Sequence, residues 1–201
     1  GLVLICKSDV ADFKMRMFNL DGSEGKMCGN AIRCVGKYVY DNGLTDETLI
    51  SIETLSGIKY LNLSVNNGKV DYVTVNMGKA HMVAKDIPVT SNNEKVIDEP
   101  IEVDGKVWNI TCVSTGNPHA ITYVDDVKSL DLEKIGPSFE NHQRFPERIN
   151  TEFIKVIDSN NLEMRVYERG SGETYACGTG ACASVVASII NGYCKFNEEV
   201  S

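Results

Sequence analysis

Apolar residues recur at helical spacing in two stretches of the chain, and at strand spacing or as short continuous runs in most of the rest. In the first stretch Val35, Tyr38 and Val39 lie on one helical face, which predicts a helix over about Cys28–Tyr40 that stops at Asn42-Gly43. In the second, Ala181, Val185, Val186, Ile189 and Ile190 recur at the same spacing, and only Ala and Ser occupy the opposite face before Asn191-Gly192. A helix with no charged side is expected to be buried on nearly all sides. Leu2–Cys6 reads as a buried strand, and Lys14–Phe18 alternates toward Asn19. Ile50–Thr54, Lys59–Val65 and Val70–Asn76 form a predicted meander with a hairpin turn at Asn66-Asn67-Gly68. Further on, Lys106–Val113 and Ala120–Val124 read as strands, as do Thr151–Ile157 and Leu162–Tyr167, the latter two joined across Ser159-Asn160-Asn161. A short surface helix is expected from Asp131, a suitable cap, to about Gln143.

The two helical stretches are copies of one plan. Cys28 and Cys177 each have a Glu four residues before them (Glu24, Glu173) and a Gly directly after (Gly29, Gly178). A polar residue follows, Asn30 or Thr179, then the helix closed by Asn-Gly; nine residues upstream stand Asn19 and Glu168. Such self-similarity reads as an internal duplication. With alternation ending at Gly78, it divides the chain into an N-terminal half, 1–78, and a C-terminal half, 79–201. Each half is mostly strands with one apolar helix, which predicts an α+β fold of two pseudo-symmetric domains, each a mixed or antiparallel sheet wrapped around a central buried helix. The absence of alternating βα units, GxGxxG and P-loop patterns argues against a nucleotide-binding fold.

Composition narrows the function. The 201 residues are 42% hydrophobic, enough for real cores, and the net charge of −8 without a basic run argues against nucleic-acid or membrane-surface partners. No apolar stretch approaches the roughly 20 residues of a membrane span. Seven cysteines, an odd number placed in strand-like and helical runs, fit a reducing compartment, with Cys6, Cys34, Cys112, Cys182 and Cys194 as inert, small hydrophobes. The Cys28–Cys34 and Cys177–Cys182 spacings suit no zinc knuckle, so no metal is expected. His81 and His142 read as surface residues.

A thiol at a helix start meets unpaired backbone N–H groups and the positive dipole end, so a lowered pKa, within about 3.5–7.5 against about 8.5 for free cysteine, is expected of Cys177. Two such thiols serving one substrate held between the halves suit inversion at a carbon acid. One thiolate removes a proton from one face and the other thiol delivers a proton to the opposite face. Backbone N–H groups at Gly29, Asn30, Gly178 and Thr179 would stabilise the resulting anion without a metal.

Four segments resemble a known family. They are Phe18-Asn19 with Asp21-Gly22-Ser23-Glu24 and Met27-Cys28-Gly29-Asn30; Gly116-Asn117-Pro118-His119; Phe145-Pro146-Glu147-Arg148 with Asn150; and Glu168-Arg169-Gly170 with Gly172-Glu173-Thr174 and Ala176-Cys177-Gly178-Thr179-Gly180. In order and over essentially the whole chain, they are similar to the diaminopimelate epimerases. The resemblance implies a cofactor-independent, cytoplasmic, homodimeric isomerase that interconverts LL- and meso-diaminopimelate on the route to lysine and peptidoglycan. It implies Cys28 and Cys177 as the acid/base pair, and Asn19, Asn117, Asn150, Glu168 and Arg169 as side-chain contacts to substrate. Gly29, Asn30, Gly178 and Thr179 would hold the reacting carboxylate, and His119 would orient a neighbour. Arg169 suits a distal carboxylate, and Glu168 with the asparagines suits an ammonium. Leu20 and Ala31 replace residues that are usually smaller. The family's opening segment, with its Gly-Asn-Asp-Phe motif and a substrate-binding Asn, is expected upstream of Gly1, and its closing strands after Ser201. Two alternatives stand beside this reading. A proline or hydroxyproline racemase shares the Met-Cys-Gly start but usually has His where Asn30 stands; a thiol switch would join Cys28 to Cys177 on oxidation.

Overall fold

The computed structural model describes residues 1–19 and 22–201; Leu20 and Asp21, the former one of the departures from the family pattern, lie outside the described residues. The chain divides into two compact units, Gly1–Gly78 and Lys79–Ser201.

The first unit contains β1 (Leu2–Cys6), β2 (Phe13–Phe18), β3 (Glu24–Gly25), α1 (Gly29–Asp41), β4 (Leu49–Thr54), β5 (Gly57–Asn66) and β6 (Lys69–Asn76). The sheet runs β1-β2-β4-β5-β6, with β3 on β2; β2 and β4 are parallel and the other pairs antiparallel. Period-two burial selects Ile50 and Ile52 on β4 and Leu61 and Leu63 on β5. Those side chains cluster with Ile32, Val35 and Val39 of α1. Helix and sheet approach closely at Gly36, where a Cβ would stand 2.8 Å from Leu61 Cδ2 and 3.1 Å from Leu63 Cδ2. The β5–β6 turn has positive φ at both Asn67 (50°) and Gly68 (74°), the conformation that matches the twist of a two-residue hairpin. β1 departs from the buried strand expected: Leu2 is 56% exposed, and Val3 and Leu4 are exposed as well. It lies at the end of the strand order, and only its last two residues are half-buried, Ile5 packing against the core of the unit.

The second unit contains β7 (Glu99–Val103), β8 (Lys106–Ser114), β9 (Pro118–Tyr123), α2 (Leu132–Glu140), β10 (Asn150–Asp158), β11 (Asn161–Glu168), β12 (Gly172–Thr174) and α3 (Gly178–Ile190). Its sheet runs β12-β11-β10-β9-β8-β7, parallel only between β9 and β10. The central strands bury both faces, so they appear in the sequence as unbroken runs instead of alternation. Cys112, Ala120 and Phe153 cluster with Leu132 and Phe139 of α2, where Phe153, Trp108 and Phe139 make edge-on ring contacts with centroids 5.3–6.0 Å apart. Their neighbours Val113, Ile121 and Ile154 pack with Ala183 and Ala187 of α3. α2 starts at Asp131, whose carboxylate accepts from Lys134 N–H.

α3 corrects the expectation of burial on nearly all sides. Its buried face is the small one, Thr179, Gly180, Ala183, Ser184, Ala187 and Ser188. Val185, Val186 and Ile189 are half-buried, and Ala181 and Ile190 are exposed. Small side chains let the helix axis approach the sheet, and that closeness governs the chemistry at its N-terminus. The sequence reading did not include three short strands: β3 and β12, of two and three residues, are too short for a period-two signal, whereas β7 alternates only at its end, where Ile101 and Val103 are buried on either side of exposed Glu102.

Candidate active site

The duplication read from the sequence recurs in local geometry. α1 and α3 each have 13 residues, and their N-caps are Cys28 and Cys177 in extended conformation. Cys28 Sγ accepts from Ala31 N–H at 3.5 Å and Cys177 Sγ from Gly180 N–H at 3.3 Å, so both sulfurs replace the usual hydroxyl or carboxylate cap. At the far ends, Asn42 Nδ2 donates to Tyr38 O and Asn191 Nδ2 to Ala187 O. Before each cysteine runs a hairpin clasped by an arginine fork. Arg16 Nε and Nη2 donate to the two oxygens of Glu24 at 2.8 and 3.1 Å. Arg165 does the same to Glu173 at 2.8 and 3.0 Å. The paired glutamates were visible in the sequence; their arginine partners, eight residues upstream across β2–β3 and β11–β12, were not. A salt-bridge pattern at that spacing emerges only once the hairpin register is known.

In the first unit, Asn19 lies just after β2, where its backbone N–H donates to Ser23 O at 2.8 Å and its Nδ2 to Ser23 Oγ at 3.1 Å. Asn30 occupies the second helical position after Gly29, its Oδ1 accepting from Arg33 Nη2 at 2.5 Å. Cys28, the N-cap of α1, is half-buried.

In the second unit, eight residues singled out in the sequence meet at the start of α3 and the ends of β9, β10 and β11. Parallel pairing sets Asn150 opposite His119. Asn150 Nδ2 donates to Pro118 O at 2.7 Å, while its Oδ1 accepts from Arg169 N–H at 3.0 Å, so this buried amide ties the Asn117-Pro118-His119 segment to the Glu168-Arg169 turn. Glu168 accepts from Thr174 Oγ1 at 2.5 Å. Arg169 donates from its guanidinium to Glu147 O at 3.0 Å; burial first, and then the Arg148 charge, make it less basic than usual. Thr115 Oγ1 donates to Thr179 O at 3.1 Å, holding the first turn of α3 against the β8–β9 connection. Glu152, which had not been singled out, lies two residues along β10 from Asn150 on the same face. It is fully buried, and its Oε1 lies 2.7 Å from His119 Nδ1. His119 Nε2 in turn lies 2.9 Å from Asn117 Oδ1. A lone Glu inside a strand has no sequence signal beyond its mismatch with an apolar run.

The electrostatics of Cys177 overturn one expectation. Burial, reinforced by the nearby Glu152 and Glu168 carboxylates, pushes its thiol up to about 12, although the Thr179 hydroxyl and the Gly180 N–H favour the thiolate. Helix-start donors lower a thiol pKa where the site is solvated; here desolvation, the largest cause, outweighs them. Cys177 is therefore a thiol at neutral pH. Two further expectations are corrected: Cys34 is exposed, not an inert buried thiol, and His142 is half-buried, its Nδ1 accepting from Arg144 N–H.

His119, Glu152 and Cys177 present ligand-type atoms all within 4.8 Å of one another. Imidazole, carboxylate and thiolate together would suit zinc, but the ring and carboxylate are engaged with each other at 2.7 Å. The arrangement reads as a hydrogen-bonded acid/base cluster. An open cleft of about 750 Å³ beside Trp108, Tyr123, Lys155 and Tyr193 shares no lining residue with it. Among the described residues, no helix is long and apolar enough to cross a membrane.

Comparison with known proteins sets this geometry in a family. Residues 1–83 and 111–201 match the family model described as diaminopimelate epimerase. The diaminopimelate epimerase of Methanococcus maripaludis (strain DSM 14266) is 60% identical over 193 residues, covering 96% of this chain and 70% of the relative. That of Acetivibrio thermocellus is 60% identical over 192 residues, 96% of this chain and 69% of the relative. Among solved structures, a hydroxyproline epimerase from Agrobacterium vitis aligns with a TM-score of 0.73 at 15% identity, covering 98% of this chain and 60% of that one. A probable proline racemase from Agrobacterium radiobacter aligns with a TM-score of 0.75 at 15% identity, covering 98% and 62%. At that identity the likeness speaks to fold: two sheet-dominated domains with few helices. The chain thus spans about 60% of the length of these two structures.

Proposed function

The chain belongs to the diaminopimelate epimerase family, isomerases of lysine and diaminopimelate biosynthesis, and from that premise we propose that it inverts the α-carbon of LL-diaminopimelate to the meso form with Cys28 and Cys177 as acid and base. The observation that carries the reading is the pair of cysteine-capped helix starts, each sulfur bonded to the N–H three residues on and each preceded by the same arginine-clasped hairpin. In this step one sulfur removes the α-proton and the other, as a thiol, delivers a proton to the opposite face; Cys177, pushed toward the thiol form by burial, suits the donor. Gly29, Asn30, Gly178 and Thr179 stabilise the carboxylate into which the carbanion delocalises, aided by two helix dipoles. Asn19, Asn117, Asn150, Glu168 and Arg169 recognise the ammonium and carboxylate groups. Two thiols sharing roughly one proton suffice for this chemistry without a cofactor. On the same family footing we read the protein as a cytoplasmic homodimer.

The test is solvent-deuterium incorporation at the α-carbon of LL-diaminopimelate. Wild-type protein should exchange it, and Cys28→Ala or Cys177→Ala should abolish exchange with the fold retained. Exchange surviving either substitution, or exchange of proline in its place, would overturn the reading.

A further inference from the structure

Glu152 is anomalous as a packing residue. It is fully buried in the middle of a strand, and its Oε2 has no hydrogen-bond partner among the described residues, a costly state for a carboxylate. Its other oxygen is directed at His119 Nδ1. The start of α3 leaves room for it only because residue 180 is glycine: a Cβ there would collide with Glu152 Oε1 and stand 3.1 Å from its Cδ. The carboxylate is thus engaged on one side by an imidazole that is itself fully buried and whose remaining nitrogen meets Asn117 Oδ1 at 2.9 Å.

Hydrogen-bond chemistry orders this row. An ionised carboxylate and an amide oxygen only accept, so a ring lying between them satisfies both neighbours only with a hydrogen on each nitrogen. The buried carboxylate and the doubly protonated ring then neutralise each other, which makes their shared burial tolerable. With its oxygen turned to His119, the Asn117 amide has its N–H₂ edge on the branch away from the ring. The reversed amide, donating to a neutral ring, would offer its oxygen instead. The first orientation suits a substrate carboxylate and the second an ammonium.

We propose that Glu152 is a positioning residue that, acting through His119, selects which edge of the Asn117 amide faces the substrate, and sets it to the N–H₂ edge for a carboxylate. This rests on the reading that Asn117 contacts diaminopimelate, but the relay itself has a readout that does not.

The experiment is long-range ¹H–¹⁵N correlation spectroscopy of histidine-labelled protein at neutral pH, with His119 identified by its loss in His119→Gln. Both His119 nitrogens should carry hydrogen in the wild type. In Glu152→Gln the ring should revert to a single-hydrogen tautomer, while Glu152→Asp, which keeps the charge, should retain hydrogen on both. In the exchange assay, Glu152→Gln should raise KM about ten-fold or more, the scale of one hydrogen bond to a charged group, with a smaller change in kcat. In an Asn117→Ala background the same substitution should leave KM unchanged, because its effect is transmitted by that amide. A wild-type ring with one hydrogen overturns the proposal even if no variant folds. So does a Glu152→Gln effect on KM that adds in full to Asn117→Ala. Wild-type protein that shows the expected spectrum but exchanges no substrate would refute the epimerase reading and leave the relay standing.

Discussion

Gly180→Ala is the substitution that most directly probes how α3 meets the sheet. In an open helix, alanine is better than glycine by about 1 kcal/mol, and somewhat less in a first turn. Here the added methyl collides with Glu152 Oε1 and stands 3.1 Å from Glu152 Cδ and 3.2 Å from Cys177 Cβ. Glu152 cannot swing aside, because it is fully buried and engaged by His119 at 2.7 Å. Either α3 lifts from the sheet, at the roughly 1–3 kcal/mol typical of overpacking, or the Glu152–His119 pair separates, at about 3–5 kcal/mol for a broken buried pair. The cheaper route sets the cost, and a net destabilisation of about 2 kcal/mol is expected. Trp108, the only tryptophan and part of the core of the second unit, makes urea unfolding followed by fluorescence specific to that unit. The midpoint should fall with little change in slope. A double-mutant cycle isolates the cause: in a Glu152→Ala background the added methyl has space, and its cost should drop below about 1 kcal/mol. A neutral Gly180→Ala, or the same cost in both backgrounds, would refute the collision.

Three further outcomes follow from the structure. At pH 8, iodoacetamide followed by peptide mass analysis should label exposed Cys34 and half-buried Cys28 well before Cys177, whose rate should keep climbing toward pH 12 as its thiolate appears; labelling of Cys177 at the rate of Cys34 would contradict the raised pKa. The same shift has a stability consequence: an unfolded cysteine ionises near 9 while the folded one stays neutral to about 12, so this contribution is intact below pH 9 and is lost as pH rises through 12. Of the two arginine forks, Arg165→Ala should destabilise more than Arg16→Ala, by about 1 kcal/mol, because Arg165 also donates to Val127 O and Leu130 O at 2.7 and 2.8 Å and is less exposed. Equal unfolding midpoints for the two variants would dispose of that difference.

Much of the site was legible because it is local. A cysteine between a glycine-rich turn and a small-residue helix announces its own cap, and the copy at Cys28 and Cys177 needs no tertiary information to be noticed. Asn19, Asn117, Asn150, Glu168 and Arg169 stand at or next to strand ends, and Asn117 and Arg169 lie beside a glycine or proline, so their polar types stand out from the apolar runs they border. Glu152, Arg16 and Arg165 lacked such context. Each acts through a partner across a strand pair, so its role depends on registers such as Asn150 opposite His119 and Tyr167 opposite Glu173. The exposure of Leu2–Leu4 was hidden for a related reason: an apolar run specifies a strand but not its place in the sheet order.

The sequence by itself determined two cysteine-started helices, the strands around them and the chemical types at their ends, since periodicity, caps and turns are properties of neighbours along the chain. Tertiary structure decided the rest: which face of α3 is buried, that a carboxylate lies beneath its first turn, and hence that Cys177 is held as a thiol. Those outcomes depend on desolvation and on charges contributed by other strands, and such energies arise only after distant segments have been brought within a few ångströms of one another.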